Sequence, residues 1–130
     1  DYIINDVSAI SKLVAEISPW FGKNIPCESG DDGTDLALSI LQDGQNFLRE
    51  GGTMQIPLIS LSNVDKIIDF AKSKFLYVKI TKSKSWFMPE EMDNFKDILY
   101  KLKSKKLINF EEKFGKFICN TSIAICKEPK

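Results

Sequence analysis

Apolar and polar positions recur along the chain with two different periods, and the blocks they form predict the elements. Tyr2-Ile3-Ile4 is a short apolar run closed by the polar pair Asn5-Asp6, which predicts a buried strand. A core strand so near the first residue raises the expectation of further polypeptide upstream. Ile10, Leu13, Val14 and Ile17 repeat at helical spacing and predict a helix over 8–18, stopped by Pro19 and Gly22. Residues 19–33 contain Pro26, Gly30 and Gly33 and predict a loop of a length that usually carries function. Ala37, Ile40, Leu41, Phe47 and Leu48 place a helix over 35–49, with Thr34 as its cap and Gly51-Gly52 as its stop. Residues 53–60 predict a strand interrupted at Pro57, which has no N–H to donate.

Ser62-Asn63-Val64-Asp65 has the form of a helix cap, and Val64, Ile67, Ile68, Ala71 and Phe75 share one face of the helix that follows. Residues 76–80 predict a strand, and 82–89 a loop carrying Trp86, Phe87 and Met88. Pro89 suits the first turn of a helix reaching about Lys103, with Met92, Phe95, Leu99 and Leu102 facing inward. A turn-rich connection over 104–115 leads to a closing strand over 117–126. Strands that alternate with helices imply right-handed crossovers. The expected fold class is therefore α/β, a mainly parallel sheet of about four strands with helices on both faces.

Composition sharpens this picture in three respects. A chain of 130 residues with 43% hydrophobic content fits a single domain spanning 1–130 with a real core. No apolar run approaches the roughly 18 residues of a membrane span, and the acidic first residues do not read as a signal peptide. The three cysteines, Cys27, Cys119 and Cys126, lack close pairing and suggest free thiols in a cytoplasmic, reducing setting. With no histidine and no CxxC spacing, no metal site of the Cys/His kind is expected. The missing histidine also excludes Ser-His and Cys-His nucleophile mechanisms.

Net charge is zero but unevenly spread. Residues 1–71 hold eleven acidic and four basic groups, and residues 72–130 hold fourteen lysines against seven acids. The basic half suits either a polyanion such as RNA or a plain solvated lysine surface.

Several phrases resemble one family. Gly33-Thr34-Asp35-Leu36-Ala37-Leu38, then Leu48-Arg49-Glu50-Gly51-Gly52 leading into a strand, resemble the helix and fifth strand after the catalytic motif of class I (Rossmann-like) S-adenosylmethionine-dependent methyltransferases of the small-domain type. Tyr2-Ile3-Ile4-Asn5-Asp6-Val7-Ser8 lies where that family has its fourth strand and its Asn-Pro-Pro-Tyr motif. Phe114-Gly115-Lys116-Phe117-Ile118-Cys119 resembles the entry to its antiparallel seventh strand. The resemblance spans most of the chain and implies the C-terminal half of a methyltransferase domain, a partial Rossmann-like fold with its last strand antiparallel. The Gly-rich loop that holds the cofactor's methionine part has no counterpart in the sequence, so the chain alone is expected to be inactive.

Carried over residue by residue, the resemblance implies Asn5 and Asp6 as catalytic residues, beyond the carboxyl end of the first strand. An Asn carbonyl and a carboxylate suit methyl transfer, which needs positioning and an acceptor for the nucleophile's proton. The same pair would serve equally as a strand end and helix cap. Val7 and Ser8 would adjoin the substrate, with Ser8 replacing the family's stacking aromatic residue. Trp86 and Phe87, in a loop with Lys82 and Lys84, would stack on a substrate or else cover the core. The complete domain would use S-adenosylmethionine on an RNA or protein acceptor, and the exposed first strand would favour a homo-oligomer. A non-catalytic binding module derived from the same fold is the competing expectation.

Overall fold

Among the described residues, eleven short elements assemble around one long strand, the last. The computed structural model describes residues 1–20, 22 and 24–130, so the expected loop at positions 21 and 23 lies outside the described residues. In chain order the elements are β1 (Tyr2–Ile4), α1 (Lys12–Ile17), α2 (Asp35–Gly44), a 3-10 turn (Gln45–Phe47), β2 (Thr53–Ile59) and α3 (Val64–Lys74). Then come β3 (Phe75–Ile80), β4 (Lys84–Phe87), a 3-10 segment (Glu90–Phe95), α4 (Lys96–Ser104), β5 (Glu111–Lys113) and β6 (Lys116–Pro129).

The sheet has six strands in the order β1-β2-β6-β3, with β4 and β5 also paired to β6. Only β1 and β2 pair in parallel, and every pair involving β6 is antiparallel. This corrects the expectation of a mainly parallel sheet of about four strands. β1, β2 and β3 do run in one direction, but β6 inserts between β2 and β3 and runs against both. A reversed strand in the interior makes antiparallel ladders on both its sides.

Two stretches expected to be irregular join the sheet. The segment carrying Trp86 and Phe87 is strand β4, paired Trp86↔Cys119 and Phe87↔Ile118. β3 and β4 follow the same side of β6, and three residues, 81–83, stand opposite two, 122–123, between Ile80↔Ala124 and Lys84↔Thr121. That extra residue is a bulge that bends one long strand into two. The 104–115 connection ends in β5, joined to β6 through Phe114 (φ 54°) and Gly115 (φ 72°). Positive φ at both central residues is the geometry that matches a two-residue hairpin to strand twist.

The break expected at Pro57 is absent, for a reason visible in the ladders. Ser60 donates to the Asn120 carbonyl (2.9 Å), so alternation leaves Pro57↔Ile123 a pair without hydrogen bonds. The Pro57 nitrogen faces β1 instead, whose last ladder bond runs from the Asn5 N–H to the Gln55 carbonyl (3.1 Å). Proline therefore occupies the first position at which no donor is needed.

Register divides the core between the two sheet faces. Ile59, Leu61, Phe117 and Cys119 lie on one face, under Val14 of α1 and Leu99 and Leu102 of α4. Met54, Ile56, Leu58, Ala124 and Cys126 lie on the other, under Ala37 and Leu41 of α2 and Ile67 and Ala71 of α3. The helices are offset. α1 and α4 cover the first face toward the carboxyl ends of β1 and β2, and α2 and α3 cover the second toward their amino ends.

Candidate functional site

The carboxyl ends of β1 and β2 are tied together by the segments that leave them. Ser11 donates its N–H to the Leu61 carbonyl (3.0 Å), Lys12 to Gly30 (2.9 Å) and Ser29 to Ile10 (3.1 Å). Leu36 at the start of α2 donates to the Ser29 hydroxyl (2.9 Å), so Ser29 caps that helix in place of the expected Thr34. Asn63 caps α3, accepting from the Lys66 N–H at 3.2 Å.

At the centre of this junction stands Asp32. Its carboxylate accepts from the Thr34 hydroxyl (2.6 Å), the Thr34 N–H (3.2 Å) and the Lys66 ammonium (2.7 Å), while its carbonyl accepts from the Asn63 N–H (2.8 Å). Burial pushes the Asp32 carboxyl up, but the bonds from Lys66 and Thr34 outweigh it and hold the group below the usual carboxylate value. A carboxylate whose folded pKa is depressed stabilises the fold above its unfolded pKa, and that contribution is lost as pH falls through the folded value. Thermal denaturation followed down from neutral pH should therefore show a decline below the ordinary aspartate range that Asp32→Asn removes. An unchanged acid limb in the variant would assign that decline to other groups.

The residues singled out in the sequence fall into two groups. Asn5–Ser8 leave β1 at the sheet rim. The Asn5 Oδ1 accepts from the Val7 N–H at 2.9 Å, and its Nδ2 is buried without a hydrogen-bond partner. Asp6 is exposed, Val7 is half-buried, and the Ser8 hydroxyl donates to the Cys27 carbonyl. The second group lies in β4. Trp86 is half-buried, donates from its indole to the Thr121 hydroxyl (2.9 Å) and meets Trp20 edge-on at 5.7 Å. Phe87 projects from the opposite face and is 64% exposed. Among the described residues no hydrogen bond, ion pair or ring contact joins the two groups.

A groove of about 1000 Å³ with mixed apolar and polar walls opens beside Lys66, the partner of Asp32, and Leu58, Val64, Phe70 and Ile108 help to line it. Ser60, Asn120 and Ser122 form its sheet floor, Asn63 and Lys66 one wall, and Lys103 and Lys106 the other. The groove is not singled out by the sequence, whereas Asp32 lies in the 19–33 region whose length predicts function. What the sequence does not reveal is its partner Lys66, far along the chain.

The thiols do not supply a nucleophile. Burial pushes Cys119 and Cys126 up to about 11, with Ser60 offsetting part of the effect at Cys119. Burial and then Glu28 also raise Cys27. Thiols whose pKa is raised well above neutral stay protonated, and so unreactive, at neutral pH. Among the described residues no group of three metal-ligating side chains exists, and no helix is long and apolar enough to cross a membrane.

A backbone cradle for a cofactor needs glycines whose empty side opens toward a ligand. Here the space over Gly33 is filled by Ser11, Ser62 and Ile10, and that over Gly30 by Asp35, while Gly51 and Gly115 stand at the open turns preceding β2 and β6. These glycines do not fit S-adenosylmethionine. No protein-family model matches the chain, and no curated protein or solved structure is significantly similar to it.

Proposed function

We propose that the chain carries the acceptor-side half of an S-adenosylmethionine-dependent methyl-transfer site, with the cofactor gripped outside these residues. The observation that carries the reading is the placement of Asn5 and Asp6, an amide and an exposed carboxylate in succession beyond the carboxyl end of β1. Open α/β sheets bind ligands at that edge. The Val7 N–H takes one lone pair of the Asn5 Oδ1 and fixes the side chain. The second lone pair is left to orient an N–H or O–H of the acceptor, and Asp6 is placed to take its proton. The reversed β6, habitual in this family, adds support.

The acceptor is an RNA or a protein. Ser8 brings no ring to the site, and Trp86 is engaged by Thr121 and Trp20, so stacking on a flat base falls to no residue beside Asn5. The filled glycine turns favour a second reading, a binding module without catalysis.

Calorimetric titration separates the two. S-adenosylmethionine and its demethylated product are titrated into this chain alone and into the chain joined to an upstream cofactor-binding segment. Binding by the joined form only is the expected result. Heat from neither form sinks the methyl-transfer reading and leaves the binding module.

A further inference from the structure

The longer open margin of the sheet is made by β3 and β4, strung end to end along β6 from Phe75 to Phe87. The ladders show which backbone groups it leaves free. Thr81 donates its N–H to the Ile123 carbonyl (2.9 Å) and Met88 to the Phe117 carbonyl (2.9 Å). By alternation Tyr77, Lys79, Lys84 and Trp86 turn their backbone groups toward β6, and Val78, Ile80, Ser85 and Phe87 turn theirs outward. Among the described residues no strand or loop pairs with those outward groups. Side chains along the margin are sorted by face. Val78 and Ile80 lie on the face of Ala124 and Cys126, with Val78 packed on the core there and Ile80 exposed. Tyr77, Lys79 and Lys84 lie on the other face, all exposed, and Lys82 stands in the bulge between the two strands. Among the described residues none of these three lysines enters an ion pair. From Phe70 to Pro89 the chain holds five lysines and no acid, and on the neighbouring part of β6 Lys127 and Glu128 offset one another.

We propose that this margin docks an acidic segment of a partner protein, held extended and added to the sheet as a further strand beside β3. The outward N–H and C=O groups of Val78 and Ile80 supply the pairing, and the lysines on the margin itself select the sign of the occupant. A segment that alternates acidic and apolar residues sets its carboxylates beside Lys79 and its apolar side chains beside Val78 and Ile80. Opposite charges and apolar pairs on neighbouring strands both favour that arrangement.

The same lysines turn away a second copy of the chain. β3 against β3, antiparallel about Val78, would set Lys74 of each copy opposite Lys82 of the other, with no carboxylate between them. Lysines and a bulge are devices that keep a sheet edge from pairing with its own kind. Here they leave one sort of strand welcome, because β3 keeps six residues, five of them apolar, in extended form.

Fluorescence anisotropy of the whole chain with a labelled peptide of alternating glutamate and valine, about nine residues long, tests this. The expected result is saturable binding with a dissociation constant on the order of 100 μM. Methylating every valine nitrogen of the peptide abolishes antiparallel addition, and methylating every glutamate nitrogen abolishes parallel addition, while the charge stays the same. One of the two methylated peptides should therefore fail to bind. Ile80→Pro removes an outward donor and spares the β6 ladder, so it should weaken binding by about tenfold, with far-UV circular dichroism confirming the fold. The pair Lys79→Glu and Lys84→Glu, both on the surface, should weaken the glutamate peptide by about tenfold and admit one of alternating lysine and valine. No binding at roughly 1 mM overturns the proposal. Binding that survives both methylations overturns it as well, since no strand is then being added. Equal binding of a single-stranded RNA oligonucleotide of similar charge also overturns it, because the margin would then read charge alone. Unchanged preference in the Lys79/Lys84 variant overturns the role given to the lysines.

Discussion

Gly33→Ala is expected to lower the stability of the fold by about 3 kcal/mol and the melting temperature by roughly 10 °C. Two costs combine at this position. Gly33 has a φ of +72°, where a side chain costs roughly 1–2 kcal/mol. A Cβ there would also stand 2.7 Å from the Ser11 nitrogen, 2.7 Å from the Ser62 Cβ and 2.8 Å from the Ile10 carbonyl carbon. Two of those atoms are backbone, and the Ser11 N–H is already committed to the Leu61 carbonyl, so the neighbours cannot withdraw cheaply.

Gly51 makes the comparison. Its φ is +74° with nothing near a built Cβ, so Gly51→Ala should show the backbone cost alone. Thermal denaturation of the two variants side by side checks the argument. Equal losses would mean that the crowding at Gly33 relaxes away and that the junction around Asp32 is softer than its hydrogen bonds imply.

That junction also marks the limit of what the chain's pattern revealed. Elements with a strong local period were legible. The helix expected from Asp35 starts there, the helix carrying Val64, Ile67, Ile68 and Ala71 spans Val64–Lys74, and Asn63 caps it. Pairing was not legible, because period says which face a residue takes and nothing about its neighbour across the sheet. The final apolar run could be read as a strand, but its insertion between β2 and β3 depends on contacts distant in sequence.

β4 and β5 lack the alternation that announces a strand. Lys84-Ser85-Trp86-Phe87 and Glu111-Glu112-Lys113 join the sheet because β6, at fourteen residues, extends well past β2 and β3 and offers them a template. The candidate site divides the same way. Asn5 and Asp6 are singled out through the resemblance of Tyr2–Ser8 to a family motif, because their place after an apolar run also suits a strand end or a helix cap. The burial of the Asn5 Nδ2 and the Asp32–Lys66 pair needed the fold. Leaving a buried donor unpaired costs about 1–3 kcal/mol.

The two core layers on opposite faces of one sheet give the last expected result. Phe117→Ala should cost about 3–5 kcal/mol, the usual range for removing a fully buried ring. Phe117 sits on β6 with its ring 4.5 Å from that of Phe110 and 5.5 Å from that of Tyr100, the latter edge-on, and with the Lys96 ammonium 5.4 Å from its centre. It thus joins the sheet to α4 and to the segment that leads into β5. α2 and α3 touch none of this, since their core runs through Met54, Ile56, Leu58 and Phe75 on the other face.

Hydrogen exchange can separate the layers. In the variant, amides of α4 and of the Glu90–Phe95 segment should lose protection first, while those of α2 and α3 fall only with global unfolding. Phe75→Ala should invert that order. If both variants instead open all four helices together, β6 couples the layers rigidly, and the two faces behave as one cooperative unit although their buried apolar clusters are separate.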